Sequence, residues 1–248
     1  ELKGVFIQII KNKNGNYFCS DLLKKCNENQ RFRIIMEIHQ YISRICLNDY
    51  GTHPIQTLIQ LSKGEEEQKL ILSSFNNSQI VKDTAINSNG SYVIQKIINF
   101  IPENRRQRFN ELIIENIETL SLDMYGMFVV KQFMLYTKNE NMINKIFNNI
   151  YVNFIKVAQN KYGNYLIQFI LEKYWDQNQC IPIRKLIYDN FIILSCNQFS
   201  WYICELFLKL SDDNDIKFFM SDFLNNDSKN RKNNENKFSN NVFKALKD

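Results

Sequence analysis

The sequence predicts an all-α repeat array, and three observations predict it. Five of the seven glycines, Gly15, Gly51, Gly90, Gly126 and Gly163, fall at intervals of 36, 39, 36 and 37 residues. Each introduces a run whose apolar residues keep helical spacing. Three prolines in 248 residues are few, and few breakers favour helices over turn-rich architectures. A period near 37 residues is that of a stacked array. Each unit in such an array contacts only its neighbours, so residues 1–248 are read as one domain that grows by stacking.

The elements of one repeat follow in order. A short apolar helix comes first. Then comes an Asn/Asp-x-x-Gly turn, with an Asn or Asp at its head in every copy: Asn12, Asn48, Asn87, Asp123 and Asn160. Two further copies place Ser where Gly stands, at Asn197 and Asn236. Glycine here is expected to permit a tight turn or a positive φ. A second helix starts at once. Counted from the residue after Gly or Ser, its positions 3, 4, 7 and 8 are mostly apolar, as in Val93, Ile94, Ile97 and Ile98 or in Leu166, Ile167, Ile170 and Leu171. That is one helical face, and it points to the core. A third helix begins near a charged stretch, such as Glu65 to Lys69 or Glu103 to Arg108. The cluster Arg105, Arg106 and Arg108 reads as a solvated face, and His39 as structural. Pro54 falls in the first turn of its helix, where a missing N–H is tolerated. Residues 225–241 are polar and nearly free of apolar side chains, which predicts a disordered loop inside the last repeat.

Positions 1, 2 and 5 of the second helix are expected to face outward together, since positions 1 and 5 lie one turn apart. In chain order they are Asn16, Tyr17 and Ser20; Thr52, His53 and Gln56; Ser91, Tyr92 and Gln95; Met127, Phe128 and Lys131; Asn164, Tyr165 and Gln168; Trp201, Tyr202 and Glu205; and Asn240, Asn241 and Lys244. Position 2 is aromatic or His in six of the seven. Rings stack on unpaired bases at about 1–3 kcal/mol each, and amides and carboxylates pair with base edges. The triplet therefore reads as a ladder for single-stranded nucleic acid, one base per rung.

The segments G-N-Y-L-I-Q, G-S-Y-V-I-Q and G-T-H-P-I-Q closely resemble the recognition helices of Pumilio (PUF) repeats. The resemblance covers nearly the whole chain. It implies a curved, right-handed all-α solenoid of about seven three-helix Pumilio-type repeats, matching family repeats two to eight, with part of a preceding repeat near Leu2 to Lys11. It also implies the family's base code where residues match. Asn164 with Gln168 is similar to a uracil reader. Ser91 with Gln95 resembles the adenine type, and Thr52 with Gln56 is nearest to it, with His53 in place of the usual Arg. Asn16 keeps half of a uracil pair beside the shorter Ser20. Glu205 fits the guanine type, although Trp201 stands where a small Ser is expected. Met127 with Lys131 and Asn240 with Lys244 match no standard pair. Since the family runs antiparallel to its RNA, the expected order is 5′-N-G-U-N-A-A-U-3′.

The resemblance further implies a monomer that binds messenger RNA 3′ untranslated regions in the cytoplasm and recruits mRNA-decay or translational-repression proteins. One alternative is a PUF-like ribosome-assembly factor, nucleolar and loosely specific; another is a protein-binding helical scaffold. A net charge of +5 permits a nucleic-acid partner without demanding one. No glycine-rich phosphate loop, paired-His motif or nucleophile elbow is present, so neither an enzyme nor a cofactor nor a metal is expected. The six cysteines show no zinc spacing and read as buried free thiols in a reducing compartment. No run is long enough to span a membrane, so an intracellular, membrane-free protein is expected.

Overall fold

The computed structural model describes residues 5–212 and residue 216. Among them every regular element is helical. The helices fall into the expected order of short, long and third. The short helices are α1 (Phe6–Ile10), α4 (Ile42–Ile45), α7 (Ser78–Ala85), α10 (Ile117–Ser121), α13 (Phe154–Ala158) and α16 (Phe191–Ser195). The long second helices are α2 (Gly15–Lys25), α5 (Thr52–Leu61), α8 (Gly90–Phe100), α11 (Gly126–Tyr136), α14 (Gly163–Tyr174) and α17 (Trp201–Leu210). The third helices are α3 (Glu28–Ile38), α6 (Glu65–Ser73), α9 (Gln107–Glu115), α12 (Glu140–Val152) and α15 (Ile181–Asp189). The unit opening at Asn236 and the segment 225–241 lie outside the described residues. Phe6–Ile10 corrects one expectation. It packs on α2 as α7 packs on α8, so it is the short helix of the unit that turns at Asn12 and not a remnant of a preceding repeat.

The chain divides into two compact units, one up to Ile143 and one from Asn144. In the first unit α2, α5, α8 and α11 pack side by side in chain order. In the second, α14 packs on α17. Positions 3, 4, 7 and 8 of the long helices form the cores, as expected: Val93, Ile94, Ile97 and Ile98 in one unit, Leu166, Ile167, Ile170 and Leu171 in the other, all buried.

The turn residues have identifiable jobs. The side-chain oxygen of each leading Asn or Asp accepts from two backbone N–H groups, two and three residues on. Asn48 Oδ1 takes Tyr50 and Gly51 N–H at 3.1 and 2.9 Å. Asp123 takes Tyr125 and Gly126 at 2.8 Å each. Asn12, Asn87, Asn160 and Asn197 repeat the pattern. Two donors that a helix start leaves orphaned are thereby satisfied, which suits Asn or Asp to the place.

Of the two expected uses of glycine, positive φ is not the one found. None of Gly15, Gly51, Gly90 and Gly126 has positive φ, and Gly51 sits at φ −67°, ψ −26°. Each instead lies against the carbonyl of the residue six earlier, at the end of the short helix. A Cβ on Gly90 would stand 2.5 Å from the Thr84 oxygen, and one on Gly126 would stand 2.6 Å from that of Leu120. Ser200 solves the same contact in another way, its Oγ donating to the Leu194 carbonyl at 2.8 Å. We therefore expect Gly90→Ala to destabilise the fold by about 1–3 kcal/mol through overpacking, and Gly90→Ser to cost less because its hydroxyl can bond the carbonyl it displaces. Denaturant unfolding of the two variants checks the order; an Ala variant as stable as Ser refutes it.

Several side-chain hydrogen bonds join residues one repeat apart, as nearest-neighbour stacking requires. Arg31 grips Glu67 through Nε at 2.8 Å and a terminal nitrogen at 3.2 Å. Arg105 donates to Gln68 at 2.7 Å, Asn116 to Ser78 Oγ at 2.8 Å, and the Lys138 N–H to Glu103 at 3.0 Å. The Arg105–Arg108 cluster is thus not one solvated face. Arg108 is exposed beside Glu111 and Glu115. Arg106 is buried, because its guanidinium bonds the Ile101 and Tyr136 carbonyls and Asn110 Oδ1, tying chain that would otherwise end in unpaired acceptors. Burial lowers its pKa from the ordinary value, opposed by the charge of Glu103.

None of the six cysteines forms a disulfide, and Cys19, Cys46, Cys180 and Cys204 are buried. Burial raises the Cys19 and Cys180 thiols to about 11. Among the described residues no helix is long and apolar enough to cross a membrane.

Candidate nucleic-acid interface

The leading Asn or Asp starts each long helix, and the glycine lets it pack close to the short one. Those two constraints fix where positions 1, 2 and 5 emerge. Position 2 projects into solvent: Tyr17, Tyr92, Phe128, Tyr165 and Tyr202 are between 48% and 71% exposed, and His53 is exposed as well. An aromatic ring left that bare, at one register position of successive helices, forfeits burial that rings normally gain. In the first unit the rings of α2, α5, α8 and α11 belong to helices packed consecutively; in the second, those of α14 and α17 do.

Position 1 departs from expectation. Asn16, Thr52, Ser91, Met127 and Asn164 are only 2–5% exposed. They do not face outward with the rings but lie at the base of the rung, where Asn16 and Asn164 are held by their own turns and Thr52 by the turn of the next repeat. Asn16 Nδ2 donates to the Asn12 and Lys13 carbonyls, and Asn164 Nδ2 to those of Asn160 and Lys161 at 2.9 and 3.0 Å. Thr52 Oγ1 donates to the Asn89 carbonyl at 3.1 Å, in the turn of the next unit. Asn89 in turn donates to Asp49 at 2.8 Å. These seam bonds escaped the sequence reading, although the recurrence of small polar residues at position 1 was their signal.

Position 5 stands half-exposed above position 1. Gln168 Nε2 donates to Asn164 Oδ1 at 2.8 Å, and Gln56 Nε2 to Thr52 Oγ1 at 3.2 Å. The buried residue thus orients the amide of the exposed one, a hydrogen-bonding pair held by a rigid turn. A base edge can use the remaining donor and acceptor of such an amide. Ser20 and Gln95 are half-exposed at the equivalent place.

The irregular rungs differ physically. In the fourth, Met127 is buried and offers no hydrogen bond, while Lys131 Nζ lies 5.9 Å from the Phe128 ring centroid, a cation–π contact. In the sixth, the Trp201 and Tyr202 rings lie against each other with centroids 3.7 Å apart. Glu205 is paired with Lys209 at 2.5 Å. Asn240, Asn241 and Lys244 lie outside the described residues. Among the described residues no group of three or more His, Cys, Asp or Glu side chains could hold a metal ion.

A family model described as the Pumilio-family RNA binding repeat matches residues 6–39, 81–109 and 153–185. These spans fall in the first, third and fifth repeats, each starting at or within the short helix. Within those spans the chain is similar to Pumilio-family repeats. The stretches with Thr52–Gln56, Met127–Lys131 and Trp201–Glu205 lie outside the matched spans. Over 143 residues the chain is 27% identical to Pumilio homolog 12 of Arabidopsis thaliana, a match covering 54% of this chain and 23% of that protein. Over 142 residues it is 29% identical to Suppressor protein MPT5 of Saccharomyces cerevisiae, covering 54% of this chain and 16% of the relative. The chain thus spans about a quarter or less of these two relatives. Among solved structures it is similar to a Puf4 mutant bound to the Cox17 RNA 3′ UTR recognition sequence, with TM-score 0.89, 21% identity, and coverage of 99% of this chain and 76% of that one. It is also similar to the RNA-binding domain of yeast Puf5p bound to SMX2 RNA, with TM-score 0.81, 24% identity, and coverage of 99% and 73%. The fold is therefore the all-helical Pumilio solenoid.

Proposed function

We propose that this chain binds single-stranded RNA sequence-specifically, one base per rung, with stacking by the position-2 rings and base choice by the residues at positions 1 and 5. The observation that carries the reading is the recurrence of one exposed ring at the same turn of successive helices, with a glutamine amide oriented by position 1 beside it on α5 and α14. The Pumilio repeat match supports it, as does the likeness to Puf domains whose structures contain RNA. The three regular rungs form the core of the reading: Asn164 and Gln168 for uracil, Ser91 and Gln95 for adenine, Thr52 and Gln56 for adenine. Taken against chain order they specify U-N-A-A. The biological role we infer is post-transcriptional control through messenger RNA 3′ untranslated regions in the cytoplasm, without catalysis, as a monomer that engages decay or repression proteins.

The test is unbiased RNA selection on the purified chain, with enriched sequences ranked by depth. The expected result is a motif containing U-N-A-A. Enrichment of RNA without a motif replaces this reading with loose RNA binding of the ribosome-assembly kind. No enrichment replaces it with a protein-binding scaffold.

A further inference from the structure

The rungs of α14 and α17 share a turn and a ring position, yet their position-1 side chains behave differently. Asn164 is buried at the base of its rung, as Asn16, Thr52, Ser91 and Met127 are in theirs. Trp201 is only half-buried. An indole is too bulky for a place that elsewhere accepts Asn, Thr, Ser or an extended Met. Its ring lies instead against Tyr202, centroids 3.7 Å apart and planes inclined by 31°. That is the contact a base would make with the ring of its rung. Trp201 and Glu205 are also one turn apart on the same face, so the indole stands beside the position-5 carboxylate. That carboxylate is already bonded to Lys209 Nζ at 2.5 Å. The acid of this rung is therefore engaged within the chain, and one face of its ring is covered while Tyr202 stays 48% exposed.

We propose that Trp201 is an internal occupant of the sixth rung. Its indole takes the stacking place on Tyr202 that other rungs offer to a nucleotide, and the guanine that Glu205 would select is not read. Trp201 is thus a specificity-determining residue that shortens the recognised sequence by one base at its 5′ side. The inference rests on the RNA-binding reading above. Removing the indole should restore the missing rung: a small side chain at position 201 can enter the seam, clear Tyr202 and leave Glu205 to exchange Lys209 for the adjacent N–H donors of guanine.

The experiment repeats the RNA selection with wild type and Trp201→Ser. The expected wild-type motif is U-N-A-A with no preference at the preceding base. The expected Trp201→Ser motif is G-U-N-A-A, bound at least about fivefold more tightly by the variant than by wild type, the lower end of one base stack. A second measurement does not depend on that variant's folding. Tyr202→Ala in wild type should change affinity less than twofold, while Tyr165→Ala should weaken it at least about fivefold. A wild-type motif that already requires the guanine overturns the proposal, as does an unchanged motif in a folded Trp201→Ser protein. A Tyr202→Ala loss equal to that of Tyr165→Ala overturns it too. A wild-type selection without any motif removes the RNA-binding reading itself, whereas a clear motif indifferent to position 201 removes this inference alone.

Discussion

Glu67→Ala is expected to lower the stability of the unit up to Ile143 by about 3–5 kcal/mol, the usual cost of stripping one partner from a buried ion pair. Arg31 on α3 and Glu67 on α6 meet through two hydrogen bonds at 2.8 and 3.2 Å, one repeat apart, with the whole residues 8% and 1% exposed. Alanine leaves the guanidinium between two third helices with neither water nor carboxylate to solvate it. The pair itself need not be strongly stabilising, because both charges were desolvated to make it. Arg31→Met with Glu67→Leu should therefore recover most of the loss. Thermal unfolding reads both variants, with a midpoint drop on the order of 10 °C for the single change. A drop within error for Glu67→Ala means that water reaches Arg31 and that the ion pair does not brace α3 against α6.

That ion pair also marks the limit of what the sequence made legible. Glu65 to Lys69 is visible as a charged stretch that opens a helix, and charge runs are normally solvated. Nothing local tells Glu67, which is buried, from Glu66, which is exposed. The distinction comes from Arg31, 36 residues earlier, and only the stacking of α3 on α6 brings the two together. Arg106 is the same lesson within one cluster of three arginines. By contrast, the core faces of the long helices were fully legible, because Val93, Ile94, Ile97 and Ile98 announce their direction by spacing alone. So were the exposed rings, because Tyr92 and Tyr165 recur in register. Position 1 was misread as outward-facing. Its register is that of an amphipathic boundary, and whether Asn164 faces water or a turn carbonyl depends on how closely the neighbouring elements approach. The glycine contact, which sets that approach, belongs to the tight turn and lies in the missing Cβ, not in a positive φ.

Gln168→Ala should weaken binding of RNA carrying U-N-A-A by about 1–3 kcal/mol and relax the choice at the uracil alone. The geometry separates reading from packing at this position. Gln168 is half-exposed and bonds Asn164 Oδ1 at 2.8 Å, while Asn164 remains anchored to the Asn160 and Lys161 carbonyls whether or not Gln168 is present. The substitution therefore removes the amide assigned by the proposal to the base edge without loosening the turn. Tyr165→Ala is the contrasting control: a ring stacks on any base, so its loss should weaken binding by a similar amount for every base at that rung and leave the preference intact. Titrating both variants against RNAs that differ only at the uracil checks the pair. Equal losses across all four bases for Gln168→Ala would assign the amide to packing, and the specificity of this rung would then have to come from Asn164, whose Oδ1 the amide covers.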